Sequence, residues 1–186
     1  MTGLERHTAG AELFLHCCCG PCSLYPLQVL RQDGYDVTAY FCNPNIHPYR
    51  EFLSRSEAFR DASASTGLPA VIESAYGLET FMSAIHSLDA SVYKAKSPER
   101  CRVCYRIRME KTAKACREAG LRTFATTLSV SPYQDHALIR EAGENAAREY
   151  GLVFLYRDFR PGYRTDRAVG PQRIHCYGHY PAARKC

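Results

Sequence analysis

Short apolar runs and longer amphipathic stretches take turns along this chain. Leu13-Phe14-Leu15, Val37 to Cys42, Ala70-Val71-Ile72, Thr123 to Val130 and Val153 to Tyr156 are compact, β-rich or apolar, and read as buried strands. Between them the spacing predicts helices. Leu24 to Leu30 carries Pro26 in its first turn, where a missing N–H costs little. Tyr49 to Thr66 places Phe52, Leu53, Phe59 and Ala62 among charges and stops at Gly67. Glu79 to Leu88, Val103 to Ala119, and a segment from Ser131-Pro132 to Tyr150 complete the set, the last two closed by Gly120 and Gly151. Strands alternating with helices of this length imply parallel pairing through right-handed crossovers, so the expected fold is α/β, an open parallel sheet of about five strands flanked by helices.

In such sheets the functional loops lie at the carboxyl ends of the strands. That rule gathers the turn after the first strand, the loop Asn43 to Pro48, Ser129 to Tyr133, and Arg157 to Tyr163 on one edge. The loop into Cys101 would fold over the same edge.

With 186 residues, 46% of them hydrophobic, the chain closes one core, and no shift in composition marks a second. Residues 1–10 are expected to be a flexible tail and residues 11–186 one metal-binding catalytic domain. No apolar run approaches the roughly 18 residues needed to span a bilayer, and Met1 to Gly10 lacks a signal-peptide core. The expectation is therefore a cytoplasmic protein with no membrane partner. Its ten cysteines then sit in a reducing compartment, which favours metal or catalytic use over disulfides. A formal charge of +5, with Lys and Arg concentrated after residue 94, permits a nucleic-acid partner without demanding one.

Four cysteines fall in His16-Cys17-Cys18-Cys19-Gly20-Pro21-Cys22, where the first strand turns into a helix. Helix N-termini favour negative charge, so thiolates are expected to be stabilised there. Cys19 and Cys22 form one CxxC and Cys101 and Cys104 another. Two such pairs, with Cys18 beside the first, are a far stronger metal signal than one. A thioredoxin-like dithiol enzyme is the alternative that the CGPC tetrad suggests, yet the chain has no Trp before the tetrad and too few residues upstream of it. A zinc-stabilised tRNA-binding module is the other alternative. His16 reads as a ligand or as a hydrogen-bonded structural residue, and His47 as a loop-rigidifying or substrate contact. Cys17 alternates away from Cys18, while Cys42 and Cys116 read as small core residues. Arg106 and Arg108, and Arg157, Arg160 and Arg164 around Asp158, are either solvated faces or phosphate contacts.

Taken together, these stretches resemble the epoxyqueuosine reductases of the QueH type, which act in the last step of making queuosine in tRNA. The matching segments are Leu13 to His16 with Cys18 to Cys22, Tyr40-Phe41 with Asn43 to Pro48, and Arg100-Cys101 through Cys104-Tyr105 with Arg108 to Ala113. They continue with Thr126-Thr127-Leu128, Ser131 to Gln134, and Leu155 to Arg160. The resemblance implies a Rossmann-like domain of the adenine-nucleotide-hydrolase type that holds a [4Fe–4S] cluster and a second, mononuclear iron. It implies metal binding by Cys18, Cys19, Cys22, Cys101 and Cys104. Cys176 corresponds to one of two cysteines with which the family usually closes, and the second is missing from Gly170 to His179. The implied partners are tRNA carrying epoxyqueuosine and an external electron donor. Asp158 and Tyr133 are candidate proton donors, and Asn43, Asn45, His47, Arg108 and Arg160 candidate substrate contacts. Tyr49 and Tyr163 are candidates for stacking on an exposed base.

Overall fold

The computed structural model describes residues 10–86, 88 and 97–163. Five strands, β1 (Ala11–Cys17), β2 (Tyr35–Phe41), β3 (Ala70–Ile72), β4 (Thr123–Thr126) and β5 (Val153–Phe154), form one sheet in the order β3-β2-β1-β4-β5. Every pairing is parallel. Five helices flank it: α1 (Gly20–Gln32), α2 (Tyr49–Thr66), α3 (Leu78–His86), α4 (Pro98–Glu118) and α5 (His136–Tyr150).

The two-residue period of β1 explains the layering. Leu13, Leu15 and Cys17 point to one face and pack with Leu27 and Leu30 of α1 and Phe52 and Phe59 of α2. Phe14 points to the other face, among Tyr105 and Met109 of α4 and Ile139 of α5. With both faces covered, the strand is apolar along its whole middle, as a central parallel strand must be. A side chain as fully buried as Phe14 contributes about 2–3 kcal/mol relative to exposure.

Three helices start four or five residues away from expectation, and one predicted strand ends early. Helix α1 starts at Gly20, so Cys22 lies in its first turn. Helix α4 starts at Pro98, because the Ser97 hydroxyl accepts from the Arg100 N–H and Pro98 occupies the first turn. The segment Thr123 to Val130 splits: the Thr126 hydroxyl accepts from the Leu128 N–H, and Thr127–Val130 turns into a 3₁₀ helix. Helix α5 then waits for Asp135, whose carboxylate accepts from the Leu138 N–H.

In this strand order the chain runs outward through β2 and β3 on one side of β1 and through β4 and β5 on the other. The direction of winding reverses between β1 and β4, and the loops leaving these two strands diverge there. That is where open α/β sheets place their ligands. The cysteine turn leaves β1 at this point.

Candidate metal centre

Thr127 ties the turn to the switch point. Its hydroxyl accepts from the Cys18 N–H at 3.2 Å and lies 3.6 Å from the Cys18 sulfur. On the other side, the Asn43 amide donates to the Cys17 carbonyl at 2.9 Å. The turn is thus clamped between the ends of β2 and β4. Beneath it, Gly20 has Ala58 of α2 so close that a Cβ would collide with the Ala58 carbonyl. A glycine here lets α2 lie backbone to backbone against the start of α1.

The Sγ atoms of Cys18, Cys19 and Cys22 lie within 4.8 Å of one another, and Cys18 and Cys19 are 3.9 Å apart. Cys19 and Cys22 are buried and Cys18 is half-buried, so the group is sheltered and still reachable. Three convergent soft donors suit iron, iron–sulfur or zinc rather than a hard cation. No disulfide is formed among the eight cysteines of the described residues.

For Cys17 and Cys18, the two thiols ahead of the helix, the packing works against the charged form. The Cys18 thiol is pushed up to about 11, first by the Cys19 sulfur beside it and then by burial, with Cys22 and Thr127 pulling the other way. Burial likewise raises Cys17, with Cys18 and Cys19 adding. Burial and the charge of neighbouring sulfurs act in the same direction on these two thiols. A metal removes this conflict by taking the negative charge, and its binding therefore releases protons.

The second CxxC lies in the first two turns of α4. Cys101 packs at the edge of the same apolar cluster as Cys18. Cys104 is buried, and its sulfur accepts from Arg108 Nη2 at 3.1 Å while its carbonyl accepts from Arg108 Nε at 3.1 Å. Arg108, expected among the substrate contacts, is only 4% exposed and turned onto Cys104. Tyr105 links this helix to the loop after β4: its hydroxyl donates to Gln134 Oε1 at 2.5 Å and accepts from the Asp135 N–H.

His16 is a structural residue in this arrangement. Its Nε2 donates to the Cys42 carbonyl at 3.1 Å, which leaves Nδ1 to accept from the Thr126 hydroxyl at 2.9 Å. Burial, with the nearby Arg108 charge, brings its pKa down to about 4, so the ring is neutral. Cys42 and Cys116 are fully buried among apolar neighbours, as expected of small core residues.

The remaining predicted residues ring the same edge. Asn43, Asn45 and His47 stand on the loop after β2, and Asn43 Oδ1, Asn45 Oδ1 and His47 Nε2 are buried without a hydrogen-bond partner. His47 packs on Tyr76 and Phe81. Tyr133 is 63% exposed, its ring set edge-on to Tyr163 at 5.9 Å. Asp158 is exposed and held by Arg160 through both side-chain and backbone bonds, which lower its pKa to about 2. Cys176 and Arg164 lie outside the described residues, as do residues 1–9 of the expected tail.

Two contributors were not singled out in the sequence. Thr127 carries no pattern that marks it as an anchor of the turn. Arg55, spaced four residues from Glu51 and bonded to it at 2.6 Å, reads as an ordinary surface pair. In the fold it is largely buried. Burial works against its charge, but the Cys19 sulfur and Glu51 together hold its pKa above the usual arginine value.

Comparison with known proteins gives one family. Residues 13–177 match the model described as epoxyqueuosine reductase QueH. A protein of that name from Dehalococcoides mccartyi is 33% identical over 158 residues, covering 85% of this chain and 82% of the relative. Another from Streptococcus pyogenes is 32% identical, covering 86% of this chain and 64% of the relative. Among solved structures, a predicted subunit of tRNA methyltransferase from Methanocaldococcus jannaschii has a TM-score of 0.58 at 12% identity, covering 86% of this chain and 73% of its own. The U34-tRNA thiolase NcsA from Methanococcus maripaludis, solved with its [4Fe-4S] cluster, has a TM-score of 0.54 at 14% identity, covering 98% and 64%. At these identities the two structures share the fold with this chain.

Proposed function

The chain belongs to the epoxyqueuosine reductase QueH family, and from that premise we propose that it removes the epoxide oxygen of epoxyqueuosine in tRNA to give queuosine. The reaction turns an epoxide into an alkene and water, so it consumes two electrons and two protons. The observation that carries the reading is the set of three sulfurs within 4.8 Å of one another at the switch point of the sheet.

Cys18, Cys19, Cys22, Cys101 and Cys104, with Cys176 from the C-terminal segment, would hold an iron–sulfur cluster and a second iron. The donor set fits such a group in its chemistry: Cys18, Cys19 and Cys22 are soft, sheltered and convergent sulfurs, and Cys101 and Cys104 add two more at the start of α4. When bound, it supplies single electrons from an external reductant and a Lewis-acidic iron that polarises the epoxide C–O bond.

The chain's own residues supply shape and protons. Asn43 Oδ1, Asn45 Oδ1 and His47 Nε2, which have no hydrogen-bond partner among the described residues, would meet polar groups of the modified nucleoside. The exposed Tyr133 hydroxyl would pass a proton to the departing oxygen. Asp158 carries no proton at neutral pH, and its part would be to fix Arg160 beside the tRNA backbone. Tyr49, half-exposed and stacked on Phe52, offers a face for an unstacked base.

The test is the iron, zinc and acid-labile sulfide content of anaerobically purified protein, with a Cys101→Ala control, followed by turnover on epoxyqueuosine-containing tRNA. Iron beyond four atoms with sulfide, lost in the control, together with turnover, supports the reading. Zinc without sulfide would turn the site into a structural one, and a reducible Cys19–Cys22 bond without metal would point to dithiol chemistry.

A further inference from the structure

Arg108 is a buried cation whose counter-charge is sulfur. Among the described residues no carboxylate pairs with it, and its contacts are the Cys104 carbonyl, the Cys104 sulfur and the Tyr105 ring, 5.4 Å from the guanidinium carbon. Burying a guanidinium is costly unless an anion faces it, and an aromatic ring compensates only in part. The main-chain carbonyl takes Nε, which fixes the plane of the group and leaves Nη2 pointing at Sγ. Four residues separate Arg108 from Cys104, one helical turn, so the rigid backbone of α4 maintains the contact. An exposed arginine of the same helix behaves differently: Arg106 faces solvent and pairs with Glu110.

Resting on the function proposed above, we infer that Arg108 is a positioning residue that tunes the metal centre, its Nη2–H donating to the Cys104 sulfur so that the reduced, more negative state is favoured. The physical basis is general. A metal–thiolate group gains one negative charge on reduction, and a fixed positive N–H donor on a ligand sulfur stabilises the added charge most in a dry environment. This gives Arg108 a function without contact to substrate.

The experiment is an EPR-monitored redox titration of anaerobically reconstituted protein carrying Arg108→Met, Arg108→Gln or Arg108→Lys, with Arg106→Gln as a control for net charge. Arg108→Met is expected to lower the midpoint so that the reduced-to-oxidised ratio at a fixed potential falls at least tenfold, about 59 mV for one electron. Arg108→Gln, a neutral donor, should fall between Met and wild type, and Arg106→Gln should match wild type. A midpoint unchanged in Arg108→Met, or moved as far by Arg106→Gln, overturns the inference. So does loss of cluster from all three Arg108 variants while far-UV circular dichroism stays native, since Arg108 would then assemble the site rather than tune it. A wild-type protein without sulfide would instead sink the functional reading itself, before any variant is compared.

Discussion

Thr127 holds the cysteine turn to the end of β4 with one hydroxyl, which accepts from the Cys18 N–H and faces the Cys18 sulfur. The residue is 1% exposed, so no solvent replaces that acceptor if it is lost. Thr127→Val keeps the shape and removes the oxygen, leaving a part-buried N–H unpaired. The expected cost is about 1–3 kcal/mol in urea denaturation, together with weaker iron retention against a chelator. Retention equal to wild type would show that the clamp is irrelevant to the centre. Asp158 makes a different residue-scale prediction. Its pKa is lowered to about 2 in the fold from the ordinary 3.8, mainly by the Arg160 side chain. Its contribution is therefore complete above pH 3.8 and is lost as the pH falls through 2. The Arg160 N–H, bonded to Asp158 Oδ1, should lose exchange protection over that window, and Asp158→Asn should abolish the pH step, both read by NMR. Turnover near neutrality should show no titration from this carboxylate.

At the scale of elements, Gly20 decides how α1 and α2 meet. A methyl group there would strike the Ala58 carbonyl, which belongs to helix backbone and cannot rotate aside. Gly20→Ala is expected to destabilise the fold by about 2–3 kcal/mol and to spread Cys19 from Cys22, with iron content falling to half or less. Thermal unfolding and metal analysis check the two arms, and a wild-type profile in both would mean that α2 does not hold the turn. Such a close approach was not legible in the sequence, where Gly20 reads as part of a CGPC tetrad. The strands and helices themselves were legible, because a two-residue period in β1 and buried stripes on α2 and α5 leave little choice. What escaped were starts set by single hydrogen bonds: Ser97 lengthens α4 toward Cys101, Thr126 ends β4 early, and Asp135 delays α5. The cysteines were visible as a pattern. The roles of Arg55 and Arg108 were not, since both sit in charged helical stretches and only the tertiary fold buries them.

For the whole molecule the question is how a protein of modest charge engages a polyanion. The net charge is +5 in 186 residues, and several arginines are already spent on partners within the chain. Arg55 pairs with Glu51, Arg102 with Glu141, Arg106 with Glu110 and Arg140 with Glu144. Arg108 is taken up by Cys104. Among the described residues these pairings leave fewer cations for phosphate, so tRNA binding should rest on a small number of phosphate contacts plus stacking and base-edge recognition, rather than on a broad basic surface. With roughly three or four phosphates neutralised, the logarithm of affinity should fall against the logarithm of salt with a slope of about −2 to −3. Between 50 and 200 mM salt that is about a sixteenfold to sixtyfold loss, where a surface making many contacts would lose far more. Fluorescence anisotropy with an anticodon stem-loop measures the slope directly. A slope near −6 would mean that residues 164–186, which carry further arginines and a lysine, form a major part of the contact. Removing those residues should then flatten the salt dependence, measured on the same stem-loop.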